Sequence, residues 1–234
     1  MDMDNNGNLY LYVGDSGSGL YSLYKYDTNS ATASWENFPT RPASLQDYTN
    51  TLLFDEQTGK LIVGGTFSQS GSDLNYIAQI PVSNPSEESY EPFGHGLYDN
   101  GFSSSFYSGV KTLVMNSEGT LFAGGAFTQN NTGEKSDTGD DLHNVAYWDN
   151  STQTWHPVGL GFNDFVRVLY FDSAGNLYAG GAFTEDGIEE TSLPYIAEYT
   201  DGTWQSLQST TSSENPDKLI RTMTSNAPLV LSSE

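Results

Sequence analysis

Val166-Arg167-Val168-Leu169-Tyr170-Phe171, then Asp172-Ser173-Ala174-Gly175, then Asn176-Leu177-Tyr178-Ala179-Gly180-Gly181-Ala182-Phe183-Thr184, is the stretch whose reading decides the fold. The first run is rich in β-branched and aromatic residues and alternates imperfectly, as a strand does. The four residues after it supply the backbone freedom that a tight hairpin needs. The last run is a second strand that ends on paired glycines. A third strand is expected after a polar insert, at Tyr195-Ile196-Ala197-Glu198-Tyr199, and Thr203-Trp204 announces a fourth.

Three further segments repeat this order. One reads 110–115, turn Asn116-Ser117-Glu118-Gly119, Leu121-Phe122-Ala123-Gly124-Gly125-Ala126-Phe127-Thr128, then Asn144-Val145-Ala146-Tyr147-Trp148 and Thr154-Trp155. Another reads Thr51-Leu52-Leu53-Phe54, turn 55–59, Leu61-Ile62-Val63-Gly64-Gly65-Thr66-Phe67-Ser68, then Tyr76-Ile77-Ala78-Gln79-Ile80, with Tyr90 where Trp is expected. The first begins at Asp4-Asn5-Asn6-Gly7-Asn8-Leu9-Tyr10, keeps only Gly14 of the glycine pair and runs through Leu23-Tyr24-Lys25-Tyr26 to Trp35, with no strand expected upstream. An exit turn recurs too, as Pro92-Phe93-Gly94-His95-Gly96-Leu97 and Pro157-Val158-Gly159-Leu160-Gly161-Phe162.

The glycine pairs stand 60 and 56 residues apart. Strand-like repeats of that length predict an all-β chain, a β-propeller of four-stranded antiparallel blades. Four blades are recognisable, at 1–44, 45–107, 108–163 and 164–216, and 217–234 reads as a partial fifth repeat or as closing strands of one propeller domain. Open sheet edges invite pairing with other chains. The C-terminal strands, missing residues or another chain are therefore expected to complete the ring.

Glycine within a strand usually marks a bend or a close approach of another backbone. That is the role expected of the pairs, with the Phe two residues later and the fourth-strand Trp filling space between blades. A phosphate cradle is not expected, because no Gly-x-Gly-x-x-Gly opens a helix and no Gly-Lys-Ser/Thr occurs. The diglycine, the aromatic-Asp and the Trp seven residues later, as in Trp148-Asp149-Asn150-Ser151-Thr152-Gln153-Thr154-Trp155, resemble the kelch repeat. The fuller Gly-Gly-x-Phe-Thr, Asn-Ile/Val-Ala and Trp-x-x-Leu/Val-Gly pattern is similar to the kelch-related propellers of the fungal cortical cell-polarity marker family and of secreted bacterial proteins. The resemblance spans roughly residues 4–210 and implies a fold more than an activity.

The chain has 8 Lys and Arg against 30 Asp and Glu, a formal net charge of -22. Such a surface repels phosphate backbones and anionic lipid, so no nucleic-acid partner is expected. Basic partners and divalent cations are the electrostatically sensible ligands, and solubility alone also accounts for the charge. With no cysteine, disulfides, zinc-thiolate sites and thiol nucleophiles are excluded. No apolar run reaches the roughly 18 residues of a membrane span, so no direct membrane insertion is expected. The polar start at Met1-Asp2-Met3-Asp4-Asn5-Asn6 resembles the inside of a repeat, as though the chain were a piece of something longer.

Asp2, Asp4 and Asn6 are candidate calcium ligands, because Asp2-Met3-Asp4-Asn5-Asn6-Gly7 fits the opening of a D-x-D-x-N-G loop. Val13 stands where the bidentate Glu of such a loop belongs, and the stretch also aligns with the hairpin turns at 116–119 and 172–175. His95, His143 and His156 have no metal-binding spacing among them. No catalytic constellation is recognised. Gly14-Asp15-Ser16-Gly17-Ser18-Gly19 only neighbours a nucleophile elbow. The inserts between second and third strands are acidic: 129–143 carries Glu134, Asp137, Asp140 and Asp141, and 185–194 carries Glu185, Asp186, Glu189 and Glu190. Loops on a rigid scaffold are where binding commonly resides. The expectation is a non-enzymatic binding or adhesion module, extracellular or at a cell surface, that presents these loops on one propeller face to a protein or glycan. The alternative is a carbohydrate-active hydrolase or lyase using carboxylates near the central channel. Beyond calcium, no cofactor is expected.

Overall fold

The computed structural model describes residues 1–14, 21–30, 34–37, 49–68, 73–83, 90–99, 108–130, 141–207, 218–225 and 229–233. Among them the regular structure is strand throughout, in four antiparallel four-stranded sheets and two strand pairs. Among the described residues no helix is long and apolar enough to cross a membrane. The chain divides into two compact units, Met1–Gly96 and Leu97–Glu234.

In the first unit, β1 (Asp2–Met3), β2 (Asn8–Gly14), β3 (Tyr21–Asp27) and β4 (Trp35–Asn37) form one sheet in that order. The upstream strand that the sequence does not announce is therefore present. It is two residues long, pairing Asp2 with Tyr10 and Met3 with Leu9, which is too little for any alternation to show. The second sheet runs β5 (Thr49–Asp55), β6 (Lys60–Ser68), β7 (Asn75–Pro81) and β8 (Glu91–Pro92). Tyr10, Leu23, Leu61, Val63 and Phe67 share one core, with Tyr10 stacked on Phe54 at 5.6 Å.

The second unit opens with β9 (Leu97–Tyr98), which pairs with β12 (Gln129–Asn130). Its first four-stranded sheet is β10 (Gly109–Met115), β11 (Leu121–Ala126), β13 (Val145–Asp149) and β14 (Thr154–Pro157). The next is β15 (Val166–Phe171), β16 (Leu177–Gly181), β17 (Ile196–Thr200) and β18 (Thr203–Ser206). A hairpin of β19 (Ile220–Ser225) and β20 (Leu229–Ser233) completes the unit. Asn144 and Tyr195, each just before the third strand of its sheet, share a left-handed backbone (φ 72° and 66°), as does Tyr76 in the first unit (φ 63°).

The register explains the paired glycines. On β10, Val110 pairs with Gly125 and Thr112 with Gly124, so Lys111 is an extra residue, a β-bulge opposite the glycine pair. On β15, Arg167 is extra between Val166, paired with Gly181, and Val168, paired with Gly180. Asn50 stands likewise against Gly64 and Gly65. A Cβ on the second glycine would run into backbone at the bulge: Gly109 O and Val110 Cα from Gly125, Phe165 O and Val166 Cα from Gly181. The first glycine answers to a different neighbour. A Cβ on Gly124 would lie 2.7 Å from Val166 Cγ1, and one on Gly180 would lie 2.7 Å from Ile220 Cγ2. Each of these two sheets is thus pressed directly onto the first strand of its successor.

The core of this unit lies along that contact. Phe162, Val166, Leu169, Phe183, Leu193 and Trp204 form one buried cluster, in which Phe162 stacks on Phe183 at 3.9 Å and tilts against Trp204 at 4.6 Å. Burying a Phe stabilises by about 1.5–3 kcal/mol, so the Phe of the repeat signature and the fourth-strand Trp are principal contributors. The edges also meet: the Leu169 amide on β15 donates to Thr112 Oγ1 on β10 at 3.2 Å.

Candidate functional site

Two parts of the sequence are candidates for chemistry, and the structure uses them differently. Around Asp4, the carboxylate accepts from the amides of Asn6 (3.0 Å) and Asn8 (2.7 Å), from Asn8 Nδ2 (2.7 Å) and from the Tyr10 hydroxyl (3.2 Å). The Asp172 carboxylate has the same partners in the same places: the amides of Ala174 and Asn176, Asn176 Nδ2 and the Tyr178 hydroxyl. Asn116 keeps the two amide bonds, to Glu118 and Thr120. The short polar side chain fastens its own hairpin in each of these repeats. Burial raises the Asp4 carboxyl, but the bonds from Asn8, Tyr10 and Asn6 outweigh it and hold it below the usual carboxylate range. Burial and the Asp4 charge in turn push the Tyr10 hydroxyl up.

Of the other two candidate calcium ligands, Asp2 accepts from the Phe54 amide at 2.6 Å, which ties β1 to β5, and the Asn6 backbone carbonyl accepts from Asn29 Nδ2. Among the described residues no group of three or more His, Asp or Glu is placed to hold a metal ion. Each histidine faces one aspartate, His95 with Asp73 (3.1 Å), His143 with Asp141 (3.4 Å) and His156 with Asp149 (4.0 Å).

The acidic inserts fare differently. Glu134, Asp137 and Asp140 lie outside the described residues, as does the Gly/Ser loop 15–19. The 185–194 insert is fully described and is a built loop. Glu185 bridges to Ser192, the Asp186 amide donates to Thr191 O (2.9 Å) and the Leu193 amide to Thr184 O (2.8 Å). Asp186 is buried, at 3 % exposure, and its Oδ1 accepts from the amides of Ile188 (3.2 Å) and Glu190 (3.0 Å). Burial again acts to raise its carboxyl, and these bonds with those from Thr191 outweigh it and lower it. Asp186 is therefore a brace of the loop, while Glu189 and Glu190 project into solvent.

This loop is bound to the preceding sheet. Phe162 bridges to Asp186, the Asn163 amide donates to Glu185 O (3.1 Å) and the Gly187 amide to Gly161 O (3.2 Å). A Cβ on Gly187 would strike the His143 ring and Leu160 O, so His143 of the earlier insert packs directly on this one. Asp141, through His143, is thereby brought to the second acidic insert.

Beside that junction lies a cavity of about 340 Å³, walled by Gly159 and Leu160 of the exit turn, Asp186 and Thr191 of the insert, and Thr203, Trp204 and Gln205 of the β17–β18 hairpin. Trp204 is anchored by its indole N–H on Val158 O at 2.8 Å. Leu160 and Ile188 are exposed at the same junction, at 51 % and 47 %. The sequence announces Trp204 only as core and Leu160 only as part of a turn. Their shared wall is visible only once Gly161 and Gly187 are hydrogen-bonded. The chain matches no family model and no curated protein.

Proposed function

We propose that the four-stranded sheets are blades of a β-propeller and that the chain is a non-enzymatic binding or adhesion module, working in the extracellular space or at a cell surface. Support for the blades comes from the second unit, where each four-stranded sheet presses its second strand onto the first strand of its successor. The observation that carries the binding reading is the acidic insert 185–194, held rigid by Asp186 and clamped to the exit turn beside a 340 Å³ cavity. A preorganised concave surface with an aromatic wall and a few polar groups suits a protein or glycan ligand. Glu189, Glu190 and Asp141 add negative potential that favours a basic group or calcium on that ligand.

The test is a binding screen of immobilised protein against oligosaccharides and basic peptides, with and without calcium. D141N/E189Q/E190Q and a separate variant that fills the cavity from its exposed wall, Gln205→Trp, are compared with the parent on any hit. The first is expected to weaken binding and the second to abolish it, with melting temperatures nearly unchanged. Hits that both variants retain would place the working surface elsewhere.

A further inference from the structure

The bulges on the first strands repeat in place but not at random in chemistry, opposite glycine pairs on β10 and β15 and opposite Ser232 and Ser233 on β19. In the second unit the extra residue is Lys111 on β10, Arg167 on β15 and Arg221 on β19, where Ile220 pairs with Ser233 and Thr222 with Ser232. These are three of only eight basic residues in a chain with 30 acids. β10, β15 and β19 are each the edge strand of their sheet, and β15 packs against both of the others. Three cations thus stand at one register level on three neighbouring strands. Bulges re-aim side chains, and they concentrate beside functional sites.

Their partners are as telling. Lys60 shows how this protein uses a cation structurally, on Glu91 at 2.7 Å. Among the described residues, Lys111, Arg167 and Arg221 have no ion pair. Lys111 is instead held by its ammonium donating to Ser108 O at 3.0 Å, and Ser108 gives its hydroxyl to Asp99. Arg167 and Arg221 are exposed. Like charges gathered without counter-charges are unfavourable unless something else neutralises them.

We propose that Lys111, Arg167 and Arg221 form a binding site for a compact oxyanion, a carboxylate, sulfate or phosphate group on a small ligand. Arg forks take such groups through paired N–H bonds, and Lys adds a point charge. A long polyanion is opposed by the net charge of -22, whereas a compact one sits within a Debye length of about 8 Å of the cations and is shielded from the rest. Burial first, then the Arg167 charge, hold the Lys111 ammonium down at about 8, so a bound anion also relieves a disfavoured charge.

Calorimetric titration with inorganic phosphate, sulfate and citrate at constant ionic strength tests this, with acylation of Lys111 at pH 8 followed by peptide mass spectrometry as the second readout. At least one anion is expected to bind saturably with a Kd below about 10 mM, and the anion that binds identifies the oxyanion class. That anion is expected to slow Lys111 acylation several-fold. R167Q and R221Q, at exposed positions, are each expected to weaken it about tenfold, equivalent to 1.4 kcal/mol. No saturable binding of any of the three, undiminished affinity in R167Q/R221Q, or unprotected Lys111 in the parent protein would overturn the proposal.

Discussion

Gly181→Ala separates steric from conformational demands on the glycines. The new Cβ meets the Phe165 carbonyl oxygen and lies 3.0 Å from Val166 Cα and from Phe183 Cδ1. Backbone cannot rotate away as a side chain can. The carbonyl must withdraw, and it is the acceptor for the Ala182 amide at 3.0 Å. Both residues are half-buried, and leaving that bond unmade where water is largely excluded costs about 1–3 kcal/mol. Forcing a methyl into a packed sheet adds about 1–3 kcal/mol. At about 2–4 °C per kcal/mol the sum, about 2–6 kcal/mol, lowers Tm by roughly 4–24 °C. Gly175 is the control: its φ is +89° and a Cβ there would meet nothing within 4 Å. Gly175→Ala costs only the left-handed penalty of about 1–2 kcal/mol, and Gly175→Asn recovers most of it because Asn tolerates that region. Differential scanning calorimetry of the three variants decides. A Gly181→Ala melting temperature within about 2 °C of the parent, less than the shift for about 1 kcal/mol, or above that of Gly175→Ala, would refute the close-approach explanation.

Asn144→Ala removes a buried side chain that accepts from the Phe127 amide (3.2 Å) and donates to Phe162 O (2.9 Å). Leaving both groups unpaired costs about 2–5 kcal/mol in urea unfolding, whereas an exposed change such as Glu118→Gln stays within about 0.5 kcal/mol. The carboxyls of Asp4 and Asp186 are lowered in the fold, so the unfolded chain takes up their protons first and their stabilisation is lost as pH falls through and below about 4. The stability gap between parent and D186N is therefore expected to narrow from pH 6 to pH 3 in denaturant titrations, and a constant gap would contradict it. Lys111 is opposite in sense: lowered to about 8 in the fold, it is protonated more readily in the unfolded chain, so it makes stability rise between pH 8 and about 10. K111M is expected to flatten that rise.

Much of the architecture was legible because it is local. Apolar runs, an Asp or Asn at the head of each hairpin and the glycine pairs all recur within single segments, and they led to four sheets of four strands. Where signals shrink or become non-local, the sequence is silent. β1 is two residues, and nothing in Asp2-Met3 distinguishes a strand from a turn. The bulges depend on which residue of one strand faces which of another, so Lys111, Arg167 and Arg221 look scattered until the register aligns them. Asp186 was expected among the exposed acids of its insert. Its bonds to the amides two and four residues ahead are those of Asp4 and Asp172, but Glu189 and Glu190 stand where those hairpins have Gly and Asn, and the resemblance is hidden.

The glycines facing Val166 and Ile220 have a bearing on ancestry and engineering alike. Each is a vacancy in one repeat shaped for a methyl group belonging to its successor, so the inherited module does not coincide with a single sheet. A duplication that copied one sheet cleanly would transmit an empty socket, and only copies overlapping into the next first strand arrive complete. Excising a repeat, or joining two from different sources, accordingly needs the seam cut after the bulge rather than at the loop between sheets.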